Sequence, residues 1–196
     1  MSNARDEQLL KAYLTGGSAR IERANSTHTE EIQYFLQVFL TAGDEARADG
    51  DLTKAERFYH ETIKLAASEF DESVPEIALA KFHLSMIYLD RGTLVAAELF
   101  AKSALKIFVE VFGEEHPATG MALHQLAEVR LAQNKSADAS PLKEQATKIL
   151  TQHYVEYANE SSKKNQPSTQ VTHCAKANLR ALVFETQMHE ISVLNN

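Results

Sequence analysis

The sequence predicts an all-α chain, a solenoid of about three helix pairs closed by a capping helix at each end. Three observations carry that expectation. Only seven of the 196 residues are Gly and four are Pro, while Ala, Leu, Glu, Gln and Lys are frequent, a balance that favours helix over a turn-rich β fold. Apolar residues make up 44% of the chain, enough for a core, and they recur at helical rather than alternating spacing. The chain also repeats itself with a period of 42 residues.

The first element in chain order is a short helix over Arg5–Leu14, with Leu9, Leu10, Tyr13 and Leu14 as its sticky face and Gly16-Gly17 as its end. Residues 1–33 are read as this N-terminal cap and its connection. Thr27 and Glu30 have capping-box spacing ahead of the helix that carries Tyr34, Phe35, Val38 and Phe39.

Residues 34–158 hold the repeats. Gly50 maps onto Gly92 and Asn134, all three tolerant of the left-handed backbone of a turn. In the same register Ala55 maps onto Ala97 and Ala139, Phe58 onto Phe100 and Leu142, and Leu65 onto Ile107 and Ile149. Gly43, Ser85 and Ala127 align as small residues, and "FGEEHPATG" (Phe112–Gly120) matches "FDESVPEIA" (Phe70–Ala78).

Each unit reads as two amphipathic helices. In the second unit, one helix runs from about Pro75 to Asp90 with Leu79, Phe82, Leu84, Ile87 and Tyr88 as apolar surface. The next carries Ala96, Ala97, Leu99, Phe100, Ala104, Leu105, Ile107 and Phe108 as a wide apolar stripe. A lone pair cannot bury such a stripe, so neighbours must stack on it. In the third unit Ser140-Pro141 falls inside the expected second helix, which is predicted to start late, capped by Ser140, or to bend at Pro141.

After the repeats, residues 159–170 are polar and read as a linker. Residues 171–196 read as a C-terminal capping helix with Ala175, Leu179, Leu182 and Val183 on one face. The alternatives for that helix are a degenerate fourth repeat or docking on a second copy, which would make the protein a self-assembling structural element or homo-oligomer.

Gly-x-Leu-x-x-Ala-Glu-x-Phe in "GDLTKAERF" and "GTLVAAELF" resembles the turn and second helix of a tetratricopeptide repeat. The 42-residue period, and "FGEEHPAT" followed by "ALHQLAEVRLAQNKSADA", resemble the repeat subtype of kinesin light chains. The resemblance implies a protein-binding adaptor or scaffold, with the first helix of each pair lining a concave groove that takes a peptide or helix of a partner. A regulatory sensor of a small peptide is an alternative use of the same groove. Helical spacing projects Gln37, Leu40, Thr41 and Asp44 from the first unit, Leu79, Phe82, His83 and Met86 from the second, and Met121, His124, Gln125 and Glu128 from the third. A strip mixing Phe, Met, Leu, His and Gln suits a segment with apolar anchors. The strip lacks the Lys, Arg and Asn with which a chaperone-tail clamp of this family grips a terminal carboxylate, so that clamp is not expected. Thr41, His83 and Gln125 stand where kinesin light chains tend to have Asn.

No enzymatic activity, cofactor or metal is expected. His116, which precedes Pro117, has Val74 as its counterpart one repeat earlier, so the position does not require an imidazole. Glu114 and Glu115 are explained by the positive end of the following helix. The eight His lack the paired spacing of a helical metal site, and no phosphate loop or nucleophile elbow occurs. The net charge of −7 argues against nonspecific nucleic-acid binding and permits, without requiring, a basic partner. With a lone cysteine, Cys174, no membrane span and no signal pattern behind Met1, the expected location is cytoplasmic.

Overall fold

The computed structural model describes residues 26–70 and 74–163, and their side chains over 32–70 and 74–153. These residues form six helices: α1 (Ser26–Ala48), α2 (Leu52–Glu69), α3 (Pro75–Asp90), α4 (Leu94–Phe112), α5 (Pro117–Ala132) and α6 (Ser136–Lys163). Among the described residues there is no strand. The fold is therefore all-α. The helices expected within 5–14 and 171–193 lie outside the described residues.

The turns explain why Gly, Gly and Asn recur. Gly50, Gly92 and Asn134 have φ of 81°, 72° and 60°. At each, the residue's N–H and the following N–H reach back to two orphaned carbonyls of the helix that has just ended. Gly50 N donates to Arg47 O and Asp51 N to Ala46 O; Gly92 N to Leu89 O and Thr93 N to Tyr88 O; Asn134 N to Leu131 O and Lys135 N to Arg130 O. This is the Schellman closure, which places the turning residue in the left-handed region. An L side chain costs about 1–2 kcal/mol there, less for Asn and nothing for Gly. Asn134→Gly should therefore stabilise the α5–α6 turn by a few tenths to about 1 kcal/mol, read as a rise in the urea midpoint at unchanged slope.

The starts follow equally local rules. Asp51 caps α2 by accepting from Lys54 N at 3.0 Å. Pro75 and Pro117 open α3 and α5, where the missing N–H would have had no intrahelical acceptor. Two starts differ from expectation. The first helix begins at Ser26, so Thr27 lies inside it rather than capping it. The last begins at Ser136, not at Ser140, and runs on with Pro141 inside it. Pro141 removes the bond to the Ala137 carbonyl, on a turn whose residues 135–138 are all exposed. Continuation of α6 to Lys163 also makes Asn159–Lys163 helical, where a polar linker was expected to begin.

The chain divides into two units between Ile107 and Phe108. In the first, α2 packs against both α1 and α3, and α1 touches α3. Its core holds Ile32, Leu36 and Phe39 from α1, Phe58 and Tyr59 from α2, and Ile77, Leu84 and Ile87 from α3, all at 2% exposure or less. Burying each such side chain is worth about 1.5–3 kcal/mol. Ala97, Ala101 and Ala104 bring α4 in closely as small buried residues. The stripe on α4 is narrower than expected, because Leu99 is 66% exposed. In the second unit α5 packs on α6. A Cβ on Gly120 would stand 3.1 Å from Ile149 Cγ2, a measure of how closely the two helices approach.

Candidate partner-binding strips

The residues expected to face a partner divide by burial. In the first unit Thr41 is exposed, and Gln37, Asp44 and Met86 are partly exposed. Leu40, Leu79, Phe82 and His83 are only 4%, 3%, 7% and 2% exposed, so they are packing residues. In the second unit Met121, His124 and Glu128 are partly exposed, whereas Gln125 is 3% exposed. The cause is visible along α3 and α5. Ile77–Ala80 and Phe82–Ser85 are buried in continuous runs, as are Pro117–Gly120 and Gln125–Ala127. A helix buried in runs of three or four is covered on more than one face, and few of its positions remain for a partner. Tyr34, 43% exposed on α1, extends the accessible strip by one turn.

Beneath the α1 strip lies a polar cluster. The Tyr59 hydroxyl donates to Asp44 Oδ1 at 2.6 Å, and His83 Nε2 stands 3.5 Å from the same oxygen. The Tyr59 and His83 rings are stacked, with centroids 5.0 Å apart and planes 13° apart. Phe82 meets the imidazole edge-on. Burial lowers the His83 pKa from its usual 6.5 to about 4; Asp44 opposes this and Arg47 adds to it. Burial, followed by the Asp44 charge and hydrogen bond, pushes the Tyr59 phenol well above its usual range. The His83 imidazole is thus neutral near pH 7 and the phenol stays protonated as a donor.

A second cluster joins α2, α3 and α4. Glu56 accepts from Tyr88 Oη and from Arg91, and the Tyr88 ring stacks on Phe100 at 5.3 Å. Burial alone would raise the Glu56 pKa; the two hydrogen bonds and the guanidinium charge hold it below its usual value. Tyr88 is pushed up to about 12 by burial and then by Glu56. This cluster ties the α3 end to its neighbours and includes none of the strip residues.

His116 has a role that sequence spacing missed. It is the N-cap of α5, accepting from Ala118 N at 3.1 Å through Nδ1, and its ring stacks on Phe112 at 4.4 Å. Glu114 and Glu115 are exposed residues just ahead of this cap. Among the described residues, no group of three or more His, Cys, Asp or Glu is placed to hold a metal ion. Among them, too, no helix is long and apolar enough to cross a membrane.

The class these features define is an all-α protein of consecutive helix pairs, each closed by a left-handed turn residue. Residues 76–152, which run from α3 into α6, match the family model for the tetratricopeptide repeat. Repeats of that family generally mediate protein–protein interaction. No curated protein matches the chain.

Proposed function

We propose that this protein is a non-enzymatic, cytoplasmic adaptor that binds a peptide or helix of another protein along the first helices of its pairs. We further propose that its repeats have a 42-residue period and belong to the kinesin-light-chain subtype. Positive φ at 50, 92 and 134 supports that period.

The observation that carries the binding proposal is the α1 strip. Gln37, Thr41 and Asp44 recur at i, i+4 and i+7, share one face, and keep solvent access on a helix whose opposite side is core. Met121, His124 and Glu128, at i, i+3 and i+7, share a face of α5 and are partly exposed. The buried members of the expected set act indirectly: Leu40, Leu79, Phe82, His83 and Gln125 fix the helices that carry the accessible ones. A surface held rigid by its own core binds with little ordering cost on its own side.

Site-specific photocrosslinking tests this reading. A crosslinking residue placed at Thr41 or His124 should capture partner segments from cell extract. The same group at Lys64 on α2 or Lys148 on α6, both exposed, should not. Capture through the second helices and not the first would sink the assignment.

A further inference from the structure

We infer that Leu9, Leu10, Tyr13 and Leu14 of this same chain dock on an apolar flank of α1 made by Phe35, Val38 and Ala42. Those three recur at i, i+3 and i+7, so they share a face, and each is partly exposed. Two other sides of α1 meet described helices. Gly43 faces α2, where a Cβ would meet Tyr59, and Asp44 faces α3, where it meets His83. Ala42 and Asp44 stand about 200° apart around the axis, so the apolar flank is turned away from α3.

The same flank of α3 is covered by the helix that precedes it. Counted back from the left-handed turn residues Gly50 and Gly92, Phe35, Val38 and Ala42 correspond to Ile77, Ala80 and Leu84. Those three are at 1% exposure or less. Their face looks onto α2, which packs on α3: Tyr88, at i+11 from Ile77, donates to Glu56 of α2. For α1 the preceding chain is residues 1–25, which end where α1 begins at Ser26. Leu9, Leu10, Tyr13 and Leu14 are its apolar cluster, at i, i+1, i+4 and i+5. Residues 15–25 can extend to about 36 Å, while α1 rises only about 24 Å from Ser26 to Ala42, so the connection reaches the flank. A tether of that length holds the cluster near α1 at an effective concentration of about millimolar, which favours it over a separate copy. Gln37 and Asp44, on the other flank, are left to a partner.

The test uses the purified full chain with a photocrosslinking residue at Val38, irradiated with no other protein present and mapped by mass spectrometry. Adducts should fall on residues 9–14 of the same copy, and their yield should hold on about tenfold dilution, as a tethered contact requires. The same residue at Gln37, on the opposite flank, should give about tenfold fewer of those adducts. Leu9→Glu with Leu10→Glu should lower the Val38 yield about tenfold or more, since two apolar side chains are exchanged for charges. Should the Val38 variant fail to fold, Phe35 serves as the second site, because an aromatic crosslinker replaces its ring conservatively. Adducts between isotopically labelled and unlabelled copies would assign the flank to a second copy and overturn the inference. Adducts confined to residues 164–196, equal yields from Val38 and Gln37, or a folded protein with no adducts would overturn it too. None of these outcomes touches the partner strip, whose own test reads capture from extract at Thr41 and His124.

Discussion

Gly43→Val should destabilise the first unit by about 3 kcal/mol, more than a surface substitution on any of its helices. A Cβ built on Gly43 lies 2.6 Å from Tyr59 Cε1 and 3.0 Å from Cδ1 and Cζ. Those atoms belong to a ring at 0% exposure, stacked on His83 and tied by its hydroxyl to Asp44. The ring therefore has no free direction in which to retreat. Helix propensity works the other way, since Gly costs up to about 1 kcal/mol relative to Ala within a helix. A β-branched residue recovers only part of that gain and adds two methyl groups to the collision. Hydrogen exchange should show the loss as faster opening of amides in 32–70, with α5 and α6 little changed. Shrinking the opposing ring supplies the control. In Gly43→Val with Tyr59→Leu, the combined cost should fall short of the sum of the two single costs by about 1–2 kcal/mol. Strict additivity would mean that the close approach of α1 and α2 is not what Gly43 provides.

Features encoded by local rules were legible in the sequence. The turn residues Gly50, Gly92 and Asn134 announced themselves because only a few residue types accept the left-handed backbone. The α3 limits, Pro75 and Asp90, followed from a Pro at the start and a Gly just past the end. Features that depend on what covers a helix were not legible. Spacing placed Thr41 and Leu40 in the same strip, but adjacent residues differ by 100° around the axis. The structure leaves Thr41 exposed and Leu40 at 4%. Helical spacing also put His83 and Gln125 on the strip, yet both are buried.

Tyr59 was overlooked for a related reason. The repeat register drew attention to Phe58, which is also buried, while its neighbour meets Gly43 and Asp44. Residues 15 and 39 positions apart along the chain, Asp44 with Tyr59 and with His83, are joined only by packing. The capping role of His116 was not foreseen because an imidazole is an unusual N-cap beside Ser, Thr, Asp and Asn. At Pro141 the local rule gave a helix starting at Ser140 or bending at the Pro; the start lies at Ser136 instead, with Pro141 inside the helix.

Stability of the first unit should fall by about 3 kcal/mol on account of His83 alone as the pH drops from about 6.5 to about 4. The buried imidazole titrates near 4 in the folded chain, against a usual 6.5. Between these values the unfolded chain binds the proton and the folded chain does not, so acid favours unfolding. Above the window both forms are neutral and the contribution is complete; below it both are protonated and no further loss accrues. Other groups titrate nearby, which is why a difference between proteins is the proper measurement. Glu76 acts with the opposite sign: burial raises its pKa, so its contribution weakens as pH rises. Glu56, held low by Tyr88 and Arg91, loses its contribution as acid protonates it. His83→Phe removes only the imidazole's titration and retains a ring against Tyr59. Urea unfolding of both proteins at about pH 7 and about pH 4 should show the wild type losing about 3 kcal/mol more than the variant across that interval. Equal losses would mean that His83 reaches solvent or a compensating charge when protonated, and that the imidazole is not sealed beneath Asp44 and Tyr59. A smaller loss in the wild type would reverse the sign, requiring Asp44 to outweigh burial and to hold His83 as a cation within the fold.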